Sequence, residues 1–172
     1  MNYPCLLSSG QNNKVIALSG TEVAKIFVRD TRSDIGSEAA KMKYANAING
    51  LVAKFIRLDS DDTINANMLI MERIYPLEYR AYEVEKRELW WNVFEDELNE
   101  LHKSGFVHHH IIRASSKQGM AFDNVLLTAH GLRLIDVGIS ALKNQVGEKL
   151  FGKYVEIEKQ EITLSHEYFL NR

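Results

Sequence analysis

The sequence predicts an α+β fold, a five-stranded antiparallel sheet with one helix followed by a mainly helical part. Three observations lead there. Up to Tyr75 short apolar runs alternate with turn residues, beyond Pro76 the apolar spacing becomes helical, and one apolar ribbon, Phe122 to Gly138, interrupts the helical part.

Taken in order, Tyr3 to Leu7, Val15 to Leu18 and Val23 to Val28 read as three antiparallel strands, the last two joined by the tight turn Ser19-Gly20. Ser33 is placed to cap a helix running toward Gly50, where a left-handed residue would stop it. On that helix Ile35, Glu38, Met42, Ala45 and Asn49 share a face, so a carboxylate sits on the apolar side. LVAKFIRLD and NMLIMERIY supply the fourth and fifth strands, around the polar loop SDDTINA. Pro76 marks the seam between residues 1–75 and 76–172. A long helix follows with Leu89, Trp90, Val93, Phe94, Leu98 and Leu101 as its expected buried stripe, ending near Ser104-Gly105. After FVHHHII and a polar stretch, NVLL and LRLID form the ribbon's two strands, and YVEIEKQEITLSHEYFL reads as a last helix.

Composition bounds the function. The 172 residues carry 21 basic and 23 acidic side chains without a long run of either sign, which gives no footprint for nucleic acid or an anionic membrane. With one cysteine, Cys5, and no run able to span a bilayer, a reducing interior suits the chain, and the cytoplasm is the default address. Export as an effector is the alternative.

GQNNKV, VAKIF, the inward Glu38, LIMERI, FVHHHI, NVLL and LIDVG occur in the order of the protein-kinase signature set. From Leu7 to about Gly138 the chain therefore resembles a protein kinase-like fold, which implies a sheet lobe over residues 1–75 and a truncated helical lobe over 76–172. The resemblance implies that Lys25 meets the α- and β-phosphates of ATP and pairs with Glu38. It implies that Gly10, with Ser8 and Asn13 beside it, covers the phosphates. Leu7, Val15 and Ala24 would roof the adenine and Leu126 would floor it. Met71 would be the gatekeeper, with Glu72 and Ile74 offering backbone groups to the base. Asn124 and Asp136, at the two ends of the ribbon, would hold Mg²⁺ through oxygen.

The departures carry as much weight. FVHHHII stands where H-R-D belongs, with His108 at the structural histidine, His109 at the arginine and His110 at the catalytic aspartate. An imidazole is chemically able to accept a proton near neutrality, and Arg113 or Asp123 offers a substitute role. Ile112 stands near the place of the lysine that helps neutralise the transferring group, the next basic residues being Arg113 and Lys117. Asn124 follows His110 by 14 residues where the pattern leaves five, an insertion of about nine. A separate grouping of His102, His108, His109 and His110 would make a transition-metal site, whereas the plainer reading is a buried His108 with exposed neighbours. No A-P-E-like sequence follows Gly138, a brevity that resembles truncated kinase-like bacterial effectors.

The expected function is an ATP- and Mg²⁺-binding pseudokinase or very weak kinase acting through a protein partner. One alternative is an active atypical Ser/Thr kinase using His110 or an insertion residue, and another is an interaction domain that takes no nucleotide.

Overall fold

The computed structural model describes residues 3–9, 13–27, 34–61, 66–115 and 119–171. Gly10, Ser33 and Lys117 lie outside them. Strands β1 (Cys5–Ser9), β2 (Asn13–Ala17), β3 (Glu22–Phe27), β4 (Phe55–Asp61) and β5 (Ala66–Glu72) form an antiparallel sheet in the order β1-β2-β3-β5-β4. Helix α1 (Ile35–Asn46) lies between β3 and β4 in the chain and packs on this sheet. Its start is set by Asp34, whose carboxylate accepts the Gly36 N–H at 2.9 Å. Its end is Ala47 in right-handed geometry, so Gly50 is not the left-handed stop expected of it. Asn46 and Asn49 explain the early stop, because their side chains turn back to bond Val52 O, Phe55 N, Leu51 N and Glu97 O.

Past Pro76 come α2 (Val84–Ser104), the short strand β6 (Phe106–Val107), two hairpins, strand β11 (Ala141–Leu142) and α3 (Lys143–Val146). Helix α4 (Glu148–Asn171) follows. β7 (Arg113–Ser115) pairs antiparallel with β8 (Gly119–Ala121), so the stretch between His110 and Asn124, expected as an insertion, carries a strand pair of its own. β9 (Val125–Thr128) pairs with β10 (Gly131–Leu134) as the ribbon. Helix α2 closes at Gly105, which has φ +93°. A Cβ there would stand 3.2 Å from the Lys143 side chain, so glycine serves both the turn and the close approach of α3.

The stripe that α2 buries differs from the expected one. Arg87, Trp91, Phe94, Leu98 and Leu101 face inward, while Leu89 and Val93 are 67% and 56% exposed. The register shifts because Arg87 is drawn under α4 by its bond to Phe169 O at 2.9 Å. Trp91→Ala is expected to cost about 3–5 kcal/mol, and Leu89→Lys no more than about 0.5 kcal/mol. Urea titration of the two variants checks the assignment, and equal costs would return Leu89 to the core.

One core runs through both parts of the chain, from Phe27 and Leu69 of the sheet through Met42 of α1 to Phe94, Leu127, Leu134 and Phe169. Backbone bonds stitch the same seam. Leu134 N donates to Leu51 O and Ala53 N to Leu134 O, and Leu77 N reaches Leu127 O. The β9–β10 ribbon is thereby held against the sheet side, and this juxtaposition builds the site.

Candidate functional site

Alternation along β3 decides which side chains meet. Lys25 lies opposite Val15 on one side and Leu69 on the other, so these three share the sheet face that looks toward α1. Ala24 points the other way, into a separate cluster with Met68 and Ile70. The expected place of Ala24 beside Val15 at an adenine roof is therefore corrected: neighbours in a strand take opposite faces, and Val23 is the residue that shares the face of Val15 and Lys25.

The Lys25 ammonium is bonded to Glu38 Oε1 at 2.8 Å and Oε2 at 3.1 Å, and to Asp136 Oδ1 at 2.7 Å. Glu38 is 2% exposed in the first turn of α1, and its backbone N–H bonds the Asp34 carbonyl. Asp136 follows β10 with its side chain 49% exposed. One cation thus faces two carboxylates. Burial works against the Lys25 charge, yet the two acids more than reverse it and its pKa is raised. For Glu38 burial wins and its pKa is raised despite Lys25. For Asp136 burial also opposes ionisation, but the charge and hydrogen bond of Lys25 overcome it and its pKa is lowered. Asp136 is the firmly ionised partner.

Backbone geometry is unusual at this point. Among the described residues only His109 and Asp136 are non-glycine residues with positive φ, 64° and 59°. Close beside them, a Cβ on Gly138 would stand 3.3 Å from Glu38 Oε2 and 3.6 Å from Asp136 Oδ1. The Gly138 carbonyl accepts Lys41 Nζ at 2.8 Å, so a second lysine of α1 anchors the turn after Asp136.

His108, His109 and His110 do not form a strand, and they go separate ways. His108 is fully buried and its Nε2 donates to Ile135 O at 2.9 Å, fixing the residue before Asp136. His109 sets its ring edge against Tyr154, with centroids 3.9 Å apart. The His110 carbonyl accepts the Asn124 amide at 2.7 Å. His102 bonds Glu158 at 2.8 Å. The grouped-histidine metal site is thus not formed, since positive φ at His109 breaks the alternation it needed. Among the described residues no three His, Cys, Asp or Glu side chains are arranged to hold a metal ion.

Asn124 is 5% exposed, and its carbonyl accepts Ile135 N at 3.0 Å, so both ends of the ribbon are held together beside the histidine run. Met71 lies opposite Val23 in β5. Glu72 is an ion-pair partner of Arg133 and accepts Lys54 N at 2.7 Å, which ties the sheet to the ribbon, and Ile74 packs on the main core. Leu7 occupies a bulge of β1, 45% exposed. A hollow of about 480 Å³ is lined by Pro76, Leu77, Tyr79, Phe122 and Leu126. Of the described residues expected around adenine, Leu126 alone lines this hollow; Leu7, Val15, Ala24 and Met71 do not.

One functional group escaped the sequence reading. Glu158 of α4 is 0% exposed and accepts the backbone N–H groups of His108 and His109 as well as binding His102. The signal was present, because Glu158 shares the buried stripe of α4 with Phe151, Ile162, Ser165 and Phe169, as Glu38 does on α1.

Compared with known protein families and with curated proteins, the chain gives no match. Among the described residues no helix is long and apolar enough to cross a membrane.

Proposed function

We propose that this chain is a protein kinase-like domain that binds ATP with Mg²⁺ and acts mainly as a pseudokinase, its nucleotide stabilising a surface for a protein partner. The observation that carries the reading is the convergence of Lys25 and Asp136, 111 positions apart, at 2.7 Å, with Glu38 closing the group. A buried lysine held by one acid from a helix and one from a ribbon is a ready phosphate contact, provided the exposed acid can turn to a cation. Asp136, half exposed, is free to do so, while Glu38 keeps Lys25 in place. Oxygen donors from Asp136 and Asn124 suit a hard cation, and Gly138 leaves room for the chain to approach them. Mg²⁺ there would neutralise phosphate charge.

The same geometry argues for weak turnover. His110 stands in the place of a carboxylate, and its ring Nδ1 lies 3.5 Å from the Asn124 amide nitrogen. Without a carboxylate at that place, the residues present bind and orient more than they move a proton.

Thermal unfolding with and without ATP and Mg²⁺ or Mn²⁺ tests the reading. At a ligand concentration about tenfold over Kd the expected gain is ~1.4 kcal/mol, or about 3–5 °C. Lys25→Ala and Asp136→Asn should each abolish the increment, measured against their own ligand-free melting. No increment in the wild-type protein would leave an interaction domain without nucleotide. Transfer of labelled phosphate to a generic acceptor, lost in both variants, would replace the pseudokinase with an active kinase.

A further inference from the structure

Asp136 holds a backbone conformation that few non-glycine residues adopt, with φ 59°. Such a conformation persists only where its surroundings fix it. On the ribbon side, His108 Nε2 donates to Ile135 O at 2.9 Å and Ile135 N donates to Asn124 O at 3.0 Å. The Asp136 carboxylate is held by Lys25 at 2.7 Å. On the far side the turn closes on itself, with Ser140 N donating to Val137 O at 3.1 Å, and Val137 is buried in the core. Among the described residues, the hydrogen bond that ties this far side to α1 runs from Lys41 Nζ to Gly138 O at 2.8 Å.

On stability grounds lysine is a poor choice at that place. Lys41 is 8% exposed on the buried face of α1, beside Ala39, Met42 and Ala45. Burial lowers its pKa, although Glu38 and Asp34 both favour the charge. Lys25, buried likewise, has two carboxylates, whereas Lys41 forms no ion pair among the described residues. A methionine would fill similar space without a desolvated charge. What the ammonium adds is the direction of its bond.

We infer that Lys41 is a positioning residue for Asp136: by holding Gly138 O against α1, it keeps the acid in its left-handed geometry and on the ammonium of Lys25. Glu38 and Lys41 stand three positions apart on one helix face, so α1 grips the turn twice. Glu38 acts through Lys25 on the Asp136 carboxylate, and Lys41 acts two residues further on. Released at Gly138, the turn can swing Asp136 away from Glu38, and repulsion between the two carboxylates favours that movement. A consequence for Mg²⁺ rests on the nucleotide reading above, since it loses an oriented oxygen donor; the geometric role does not.

Nuclear magnetic resonance of the full chain without ligand is the first test. In Lys41→Met the amide coupling and carbon shifts of Asp136 should leave the left-handed range and the Gly138 carbonyl signal should move, while the melting temperature stays unchanged or rises because a desolvated charge is gone. Lys41→Arg keeps a donor and should restore both signals. In the wild type the Lys41 ammonium should exchange its protons more slowly than exposed Lys103 and Lys149, a check that needs no variant. Binding of Mn²⁺ with ATP is the second test. Lys41→Met should weaken it about tenfold or more, as loss of an outer partner of a metal ligand does, and Lys41→Arg much less. An Asp136 signature that Lys41→Met leaves in place overturns the inference, whether or not melting falls. So does a Mn²⁺–ATP affinity that Lys41→Met leaves unchanged, an arginine variant no better than methionine, or a fast-exchanging Lys41 ammonium. Absence of Mn²⁺–ATP binding in the wild type strikes the nucleotide reading instead, and the ligand-free signals still decide the role of Lys41.

Discussion

Lys25→Met is expected to lower stability by about 3–5 kcal/mol at neutral pH, toward the lower figure because water screens the half-exposed Asp136. The loss comes less from the missing bonds than from what remains, two carboxylates facing each other with Glu38 buried. Acid should restore part of it. In the wild-type protein the two acids pull in opposite senses. Asp136 has a depressed pKa, so its contribution is present above the ordinary aspartate range and is lost as pH falls through the depressed value. Glu38 has a raised pKa, so its ionisation weakens the fold as pH rises from the ordinary glutamate value through the raised one. With methionine at position 25 neither acid has its cation, both favour the protonated form, and the two slopes align. Urea midpoints from pH 7 down into the carboxylate range should therefore converge with those of the wild type. A deficit that widens on acidification would refute this account.

The second large effect is expected at Glu158. Glu158→Ala leaves the buried N–H of His108, and the part-buried N–H of His109 and ring of His102, without their acceptor. A buried unsatisfied polar group costs about 1–3 kcal/mol, so a loss of about 3 kcal/mol or more is expected, enough to threaten the fold. Glu158→Gln keeps an acceptor oxygen and should lose clearly less. Chemical denaturation of both variants measures the difference. Equal, small losses would mean that the histidine run holds its own shape without α4.

Local pattern was a sound guide to the elements. Short apolar runs between turn residues located the five strands, the change to helical spacing located α2 and α4, and Gly105 ended α2 as its freedom at positive φ suggests. Pattern was weaker wherever a side chain had two plausible faces. Leu89 and Val93 look as buriable as Trp91, and the choice fell to Arg87, which reaches a carbonyl of α4 far along the chain. Ala24 shows the opposite failing, since strict alternation already placed it away from Lys25.

What the sequence determined by itself is the five sheet strands, the three long helices, the β9–β10 ribbon and the inward carboxylate of α1, because these follow from the spacing of neighbours a few residues apart. The pairing of Lys25 with Glu38 was expected from the order of the motifs, whereas tertiary structure alone decided that Asp136 joins the same ammonium and that Glu158 holds the histidine run from beneath. Both of those contacts join distant residues, up to 111 positions apart. No local periodicity encodes them; they arise when the ribbon docks against the sheet and the core closes over both.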